Sequence, residues 1–273
     1  MNRLFRHLAV VGLFLTTSAS ALPARQDSSQ SRGGNVIFGD VKSAWEDGTT
    51  LVASPVHFSG EDWLKTGAIL GGTASLFALD RTGRVWATRG QSSTADNFAT
   101  AGRDYGNAAY ALSLSAALYA GGLAFDSKDV RVTGLLAIES ICFSGAITNI
   151  FKVAAARSRP YVGKGPFDFH GFKIDDQNAS FPSGHSTVAF ALSSTLAGRI
   201  DNTWGKVLLY SLATLTAVSR VYNDEHWVSD SFLGAAIGQV VGSTLVRYHR
   251  NDGEESSFSI SPTQRGITAE WRF

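Results

Sequence analysis

The residues best suited to chemistry lie towards the C-terminal end of the chain, where His226 and Asp230 are four positions apart. On a helix, that spacing places two side chains on one face, one turn apart. A carboxylate there can hold an imidazole N–H, which fixes the tautomer and leaves the other ring nitrogen available as a nucleophile. Asn223 and Asp224 predict a turn and an N-cap, so that Arg220 ends one helix and His226 opens the next. Taken alone, the pattern also fits a surface helix with an ordinary His–Asp pair.

A second polar group lies upstream, in the sequence Ser180-Phe181-Pro182-Ser183-Gly184-His185-Ser186. Pro182 favours the first turn of a helix, and Gly184 lets the backbone come close to a ligand. The N–H groups of a helix N-terminus bind anions, and His185 beside them can donate a proton to a leaving oxygen. An ordinary helix start, with serine and proline as capping residues, explains the same pattern.

A third group, from Lys152 to Pro160, is basic. Lys152 and Arg159 are seven positions apart, so both are predicted to project from one face of a helix that Pro160 then stops. Two cations on one side of a helix can neutralise a phosphate. The alternative is a basic last turn that complements the helix dipole.

In order, the three groups read K-x6-R-P, P-S-G-H and S-R-x5-H-x3-D. Their combination resembles the signature of the type 2 phosphatidic-acid phosphatase and vanadium haloperoxidase superfamily, with every signature position present, over about residues 61–250. The resemblance implies an all-α fold, namely a six-helix bundle of the acid phosphatase/vanadium haloperoxidase type.

The resemblance also implies a role for each residue. His226 would attack phosphorus to form a phosphohistidine, Asp230 would orient it, and His185 would protonate the leaving oxygen and later activate water. Three cations and a helix N-terminus would supply the charge stabilisation that phosphoryl transfer needs, without a metal or other cofactor. No Asp/His cluster with metal-site spacing appears elsewhere in the sequence. The residues implied to bind the phosphoryl oxygens are Lys152, Arg159, Arg220, Ser183 and Gly184.

Two enzymatic functions fit this signature. The first is a metal-independent phosphatase of the cell envelope, acting on lipid phosphates, lipid pyrophosphates or small phosphate esters. The second is a haloperoxidase with vanadate as its cofactor, because vanadate mimics the phosphoryl transition state and the same residues would hold it. Haloperoxidases of this superfamily are usually much longer chains, which favours the phosphatase. A non-catalytic binding protein of the envelope would require an occluded site.

Six stretches rich in small apolar residues must position these groups, and no strand-like alternation interrupts them. Glycines recur every four residues at Gly67 and Gly71, and again at Gly234, Gly238 and Gly242, which predicts faces where helices approach closely. Alternating residues near the C-terminus predict a short β-hairpin packed on the bundle. The predicted helices cover residues 61–79, 105–125, 130–158, 185–199, 204–220 and 226–249.

The start of the chain predicts export. Residues 1–21 contain two early arginines, an apolar run and Ala19-Ser20-Ala21, the pattern of a secretory signal peptide, with an uncleaved anchor as the alternative. Export of a protein without disulfides fits a bacterial periplasm or cell envelope. The predicted divisions are the signal peptide (1–21), a linker and amphipathic lead-in (22–60), the helical phosphatase domain (61–250) and a C-terminal tail with the hairpin (251–273).

Composition and charge limit the kinds of partner and site that we expect of this protein. The net charge is +1, which gives no electrostatic case for nucleic acid. Cys142 is the only cysteine, which excludes an intramolecular disulfide and a cysteine-built metal site. Among the predicted helices, only 105–125 contains an uncharged run of the ~20 residues that a membrane span requires, and the mean hydropathy of the chain is +0.01. We therefore expect a soluble or membrane-peripheral bundle, associated with a membrane surface, with a phosphorylated lipid or small phosphate ester as substrate.

Overall fold

The computed structural model describes residues 36–173, 175–249, 258–263 and 266–271. The predicted signal peptide and the linker that follows it lie outside these residues. The described chain contains α-helices up to Tyr248, with a largely irregular segment at 156–183, and then two paired strands. Its helices are α1 (Val36–Ala53), α2 (Gly60–Leu76), α3 (Asp80–Arg89), α4 (Ser93–Tyr105), α5 (Ala108–Ala124), α6 (Lys128–Ala155), α7 (Gly184–Gly198), α8 (Thr203–Tyr222) and α9 (Val228–Tyr248).

The all-helical character of the bundle agrees with the sequence, but the helix count does not. The six predicted helices correspond to α2 and α5 to α9, whereas the described residues contain nine α-helices. α3 and α4 were missed because they are short and polar and show no apolar run. α1 was predicted only as a lead-in with loops, yet it forms a continuous helix of 18 residues.

The two strands lie at the C-terminal end of the described chain. β1 (Phe258–Thr263) and β2 (Gly266–Trp271) pair antiparallel, with Phe258 opposite Trp271 and Thr263 opposite Gly266. The predicted packing of this hairpin on the bundle stays a prediction.

α7 is the central helix of the bundle. Every residue from Ser186 to Thr195 is buried, because α6, α8 and α9 all pack around it. A helix that is buried on all sides needs apolar or small side chains on every face. α7 meets this requirement with alanines and with serines and threonines that bond to nearby groups. Ser183 caps its N-terminus by accepting a hydrogen bond from the Ser186 N–H. The predicted P-S-G-H group therefore starts the most enclosed helix of the described chain.

The glycine face of α9 lies directly against α7, which confirms the predicted close approach. A Cβ atom at Gly234 would lie 2.3 Å from the Ser183 carbonyl oxygen, and one at Gly238 would lie 2.2 Å from the Thr187 carbonyl oxygen. The corresponding prediction for Gly67 on α2 is wrong, as it is for Gly71. Both are exposed, and a Cβ at either position would meet nothing within 4 Å.

One helix of the described chain is long and apolar enough to cross a membrane, by length and composition alone. This helix is α6, and 44% of its most apolar window is buried inside the protein. The run 105–125, which the sequence marked as long enough, is interrupted at Gly106 and Asn107, where α4 ends and Asn107 caps α5. α5 is left with 17 residues.

Candidate active site

The three predicted groups meet in one pocket of about 340 Å³. Six of the eight predicted site residues line it, and the other two, Asp230 and Ser183, lie fully buried beside it. Two acidic residues that the sequence did not assign to the site, Asp176 and Glu225, complete the wall. The lining residues are Lys152, Arg159, Asp176, Gly184, His185, Arg220, Glu225 and His226.

His226 lies in the turn before α9 and not on the helix. α9 begins at Val228 with Trp227 as its N-cap. Asn223 and Asp224, predicted to cap this helix, instead follow the end of α8, and Asp224 forms a bidentate ion pair with Arg84. The His226 N–H donates to the Arg220 carbonyl oxygen at 3.2 Å, which ties the two predicted site residues together through the backbone.

The His226 ring is held through Nδ1, which lies 2.7 Å from the Ser180 carbonyl oxygen. A carbonyl oxygen only accepts hydrogen bonds, so Nδ1 carries the proton and Nε2 keeps its lone pair. Asp230 Oδ2 lies 3.8 Å from Nδ1, which is too long for a hydrogen bond. The predicted Asp230–imidazole hydrogen bond is therefore replaced by one to the backbone, and Asp230 acts on the ring through its charge.

Asp230 is fully buried and tightly held. Its Oδ2 accepts hydrogen bonds from the Ser180 hydroxyl and, at 2.8 Å, from the Trp227 N–H, while Oδ1 accepts from Arg157 Nη1 at 2.5 Å. Burial pushes the pKa of Asp230 up, but the neighbouring His226 and the Arg157 charge outweigh it and hold the pKa below its usual value. Asp230 is thus a carboxylate placed next to the imidazole.

The three predicted cations converge although the helix carrying the first ends early. α6 stops at Ala155, because Ala156 adopts a left-handed conformation with φ of 43°. Arg159 then lies in extended backbone before Pro160, as expected for a residue that precedes proline. The predicted common helix face of Lys152 and Arg159 is therefore wrong, yet both side chains reach the pocket.

The three cations differ in how many of their N–H groups form hydrogen bonds within the protein. Arg159 bonds to the carbonyl oxygen and the carboxylate of Asp176, both at 2.8 Å, and to Glu225. Lys152 donates to the Ala179 carbonyl oxygen. Arg220 is 5% exposed, and its Nε has no hydrogen-bond partner among the described residues. Such a buried donor is normally satisfied, so an oxyanion bound in the pocket is the natural acceptor.

Burial and the crowding of cations shift the titrating groups of the pocket. Burial lowers the pKa of His226 to about 3, so the ring is neutral at physiological pH. Burial and the nearby Arg220 and Arg159 lower the pKa of His185 to about 4. Burial and Arg159 lower the pKa of Lys152 to about 8. An anionic ligand would reverse the effect of the cations on both His185 and Lys152.

Ser183 does not reach the pocket, unlike Gly184. Its N–H donates to the Asp230 carbonyl oxygen at 3.0 Å, and its hydroxyl lies within the first turn of α7. This contact joins the start of α7 to α9, and the implied phosphate-binding role of Ser183 stays a prediction. Pro182, predicted in the first turn of α7, precedes the N-cap.

The sequence motifs did not identify three residues that bond to Asp230 or to its partner Arg157. Arg157 and Ser180 lie inside or beside the quoted motifs, at positions that the motif pattern leaves open. Both are fully buried and bond to Asp230. Asp80, which bonds to Arg157, comes from a different part of the chain. Side chains that act at such a separation have no local spacing by which the sequence could reveal them.

The structure also brings together three groups of metal-ligand type away from this pocket. Ligand atoms of Asp47, Glu139 and His249 lie within 4.8 Å of one another. The sequence gave no sign of this cluster because the three residues come from α1, α6 and the end of α9. His249 Nε2 and Asp47 Oδ2 are 2.7 Å apart, so these two are already hydrogen-bonded to each other.

Comparisons with known proteins place this pocket in a family. Residues 133–254, which include all eight predicted site residues, match the PAP2 superfamily. This stretch forms a PAP2 superfamily domain. The PAP2 domain contains the complete pocket lining, whereas α1 to α5 precede it.

Curated relatives of the PAP2 domain include phosphatases. A lipid A 1-phosphatase of Porphyromonas gingivalis is 38% identical over 84 residues, which are 30% of this chain and 19% of that protein. A lipid phosphate phosphatase 1 of Arabidopsis thaliana is 30% identical over 162 residues, which are 47% of this chain and 50% of that protein. The chain therefore spans about a fifth of the first relative and half of the second.

A solved structure supports the fold. The transmembrane PAP2-type phosphatidylglycerolphosphate phosphatase of Bacillus subtilis superimposes with a TM-score of 0.52 and 20% identity, covering 65% of this chain and 92% of that one. At this identity the likeness concerns the fold of the helical bundle.

Proposed function

We propose that the protein is a metal-independent phosphatase that hydrolyses phosphate monoesters or pyrophosphates through a phosphohistidine at His226. The observation that carries this proposal is the fixed imidazole: Nδ1 is held by the Ser180 carbonyl oxygen, and the ring lines a pocket together with three cations. A neutral imidazole with its Nε2 lone pair available is a nucleophile, and the cations are suited to phosphoryl oxygens.

The first step joins His226 Nε2 to phosphorus as the bond to the leaving oxygen breaks. Protonated His185 gives its proton to that oxygen, and both histidines line the same pocket. Lys152, Arg159 and Arg220 stabilise the charge on the equatorial oxygens, which is the main requirement of phosphoryl transfer. The carboxylate of Asp230 stabilises the positive charge that the imidazole acquires.

The second step returns the enzyme to its starting state. His185, now neutral, takes a proton from a water molecule whose oxygen attacks phosphorus. The N–P bond breaks, inorganic phosphate leaves, and His226 regains its lone pair. Neither step requires a metal, since the positive charge comes from side chains.

We further propose a lipid-linked substrate and a membrane-associated enzyme of the bacterial periplasm or cell envelope. The outer face of α8 supports this, since Trp204, Val207 and Leu208 are 81%, 50% and 60% exposed and lie at helical spacing. The outer face of α2 likewise exposes Trp63 and Leu70, which are seven positions apart. Exposed apolar faces of this kind mark contacts with membranes or proteins. The curated relatives are named for lipid phosphate substrates, which agrees with the proposed lipid-linked substrate.

The test is a phosphate-release panel in the presence of EDTA. Lysophosphatidate and a prenyl pyrophosphate are compared with water-soluble phosphate esters, and the His226→Ala variant is the control. We expect the wild type to release phosphate faster from the lipids, and His226→Ala to release none.

Activity that EDTA abolishes and a divalent ion restores would contradict the metal-free mechanism. Equal rates with soluble esters would contradict the lipid preference. Bromide oxidation by peroxide after addition of vanadate, without phosphate release from any substrate, would favour the haloperoxidase instead.

A further inference from the structure

A buried charge network lies beneath the nucleophile and reaches outside the PAP2 domain. Asp80, Arg157 and Asp230 are all 0% exposed. Arg157 Nη1 lies 2.5 Å from Asp230 Oδ1, and Arg157 Nη2 lies 2.6 Å from Asp80 Oδ2. A single guanidinium therefore bridges two carboxylates, with one nitrogen on each, which the forked arrangement of its donors allows.

Further contacts fix this bridge in place. The Ser229 N–H donates to Asp80 Oδ1 at 2.9 Å, and the Ser229 hydroxyl donates to Asp80 Oδ2 at 2.8 Å while accepting from Arg157 Nη1. The guanidinium also lies over the ring of Phe77, 4.4 Å from its centroid. Burial raises the pKa of Asp80 above its usual value, while the donors of Ser229 and the charge of Arg157 oppose that shift.

We propose that Asp80 is a positioning residue for the phosphoryl-transfer step, acting through Arg157 on Asp230 and so on His226. Asp80 does not line the pocket, and no motif of the sequence includes it. This inference rests on the proposed function, and it explains why a carboxylate from the start of α3 is buried next to the turn that carries the nucleophile.

The reason lies in the charge balance. Asp230 and Asp80 carry two negative charges against the single positive charge of Arg157, so the network is net negative beneath the imidazole. An unshared Arg157 would neutralise Asp230 completely and pull its carboxylate away from His226. Asp80 holds the second guanidinium nitrogen, so that Asp230 keeps negative charge for the imidazolium that forms when Nε2 attacks. Because all three residues are fully buried, such charge effects are strong.

The test is Asp80→Asn, which removes the charge and keeps an oxygen that accepts hydrogen bonds. We expect kcat to fall by about 10- to 100-fold, by analogy with the loss found when the partners that orient a metal-ligating histidine are removed. The inhibition constant of inorganic phosphate should stay within about twofold of the wild-type value, because the three cations of the pocket are unchanged. Loss of fold alone would lower the active fraction and leave the kcat of the remaining enzyme unaltered.

Asp40→Asn is the matched control. Asp40 is also buried, accepts a hydrogen bond from Tyr119 at 2.8 Å and lies 3.7 Å from Arg131, and it takes no part in the pocket. Its substitution should leave kcat per folded molecule unchanged. An equal fall of kcat in both variants would overturn the proposal, and so would an unchanged kcat in Asp80→Asn.

Ser229→Ala serves if Asp80→Asn does not fold. It removes one hydroxyl that joins Asp80 to Arg157, so kcat should fall several-fold with an unchanged phosphate inhibition constant, and an unchanged kcat would overturn the proposal. The activity of the wild type distinguishes a failure of the role of Asp80 from a failure of the proposed function. A wild type that releases phosphate and loses this activity in His226→Ala, together with an unaffected Asp80→Asn, refutes only the role of Asp80. A wild type with no phosphatase activity refutes the proposed function, and the role of Asp80 falls with it.

Discussion

Replacing Gly234 by alanine should damage the active site without touching any residue that lines it. Gly234 lies on α9 against the start of α7, and an added Cβ would lie 2.3 Å from the Ser183 carbonyl oxygen and 3.1 Å from Thr187 Oγ1. The first distance is about 1 Å shorter than a normal contact in a close-packed interior, so the two helices must separate by roughly that amount.

The separation has two measurable effects. Overpacking of this kind costs about 1–3 kcal/mol in the free energy of unfolding. The shift also moves Ser183 and the adjoining His185 relative to Asp230 and His226, because the Ser183 N–H bonds to the Asp230 carbonyl oxygen. A misplacement of about 1 Å can reduce a rate by roughly 100-fold, and we expect a fall in kcat of that order.

Gly67→Ala is the control for this experiment. It is the same substitution on an exposed helix face with nothing within 4 Å, so it should raise the free energy of unfolding by about 0.5–1 kcal/mol and leave kcat unchanged. Urea unfolding and initial rates of phosphate release measure both quantities. If Gly234→Ala has the stability of Gly67→Ala and a kcat within twofold of the wild type, the close packing of α7 on α9 does not position the site.

Three further predictions concern the chemistry. Asp230→Asn should leave a weak residual kcat, because it removes a charge beside the imidazole and not the nucleophile; full activity in rate measurements would refute that role. Orthovanadate should inhibit competitively and more tightly than substrate binds, because its five-coordinate adduct resembles the transition state, and non-competitive inhibition would count against His226 as the attacking group. In the protein without substrate the pKa of His185 is lowered to about 4 by burial and by nearby cations, and a bound phosphate offsets those cations and raises it. Activity that needs protonated His185 is lost as pH rises through this pKa, so the basic limb of kcat should lie at higher pH than that of kcat/KM; coincident limbs would contradict the assignment.

The parts of the site that could be predicted are those encoded within short segments. His226, His185, Arg220 and Lys152 belong to contiguous motifs, and the sequence assigned them to one pocket that the structure contains. The local backbone was harder to predict. The sequence placed His226 on a helix, but the Asp230 carboxylate caps α9 through the Trp227 N–H and leaves His226 in the turn.

The parts that could not be predicted depend on contacts between distant segments. Arg157 looked like one more residue of a basic helix end, yet it turns inward because Asp80 and Asp230 together satisfy its charge. Glycine spacing predicted the packing of α9 correctly and that of α2 wrongly, because spacing alone does not show whether a partner helix is present. α3 and α4 are polar and short and contain no long apolar run, so the sequence analysis missed them, although α3 supplies Asp80.

The central claim is that His226 forms a covalent bond to phosphorus, and trapping that intermediate tests it most directly. Wild-type protein is mixed with a substrate labelled in its phosphoryl group and quenched with alkali within the first turnover. The label should then be found on a peptide that contains His226, be stable in alkali and be lost in acid, as a phosphohistidine is. His226→Ala should take up no label, while Asp40→Asn should take up as much as the wild type. Phosphate release by the wild type with no label on His226 would contradict the account, because hydrolysis would then proceed by direct attack of water.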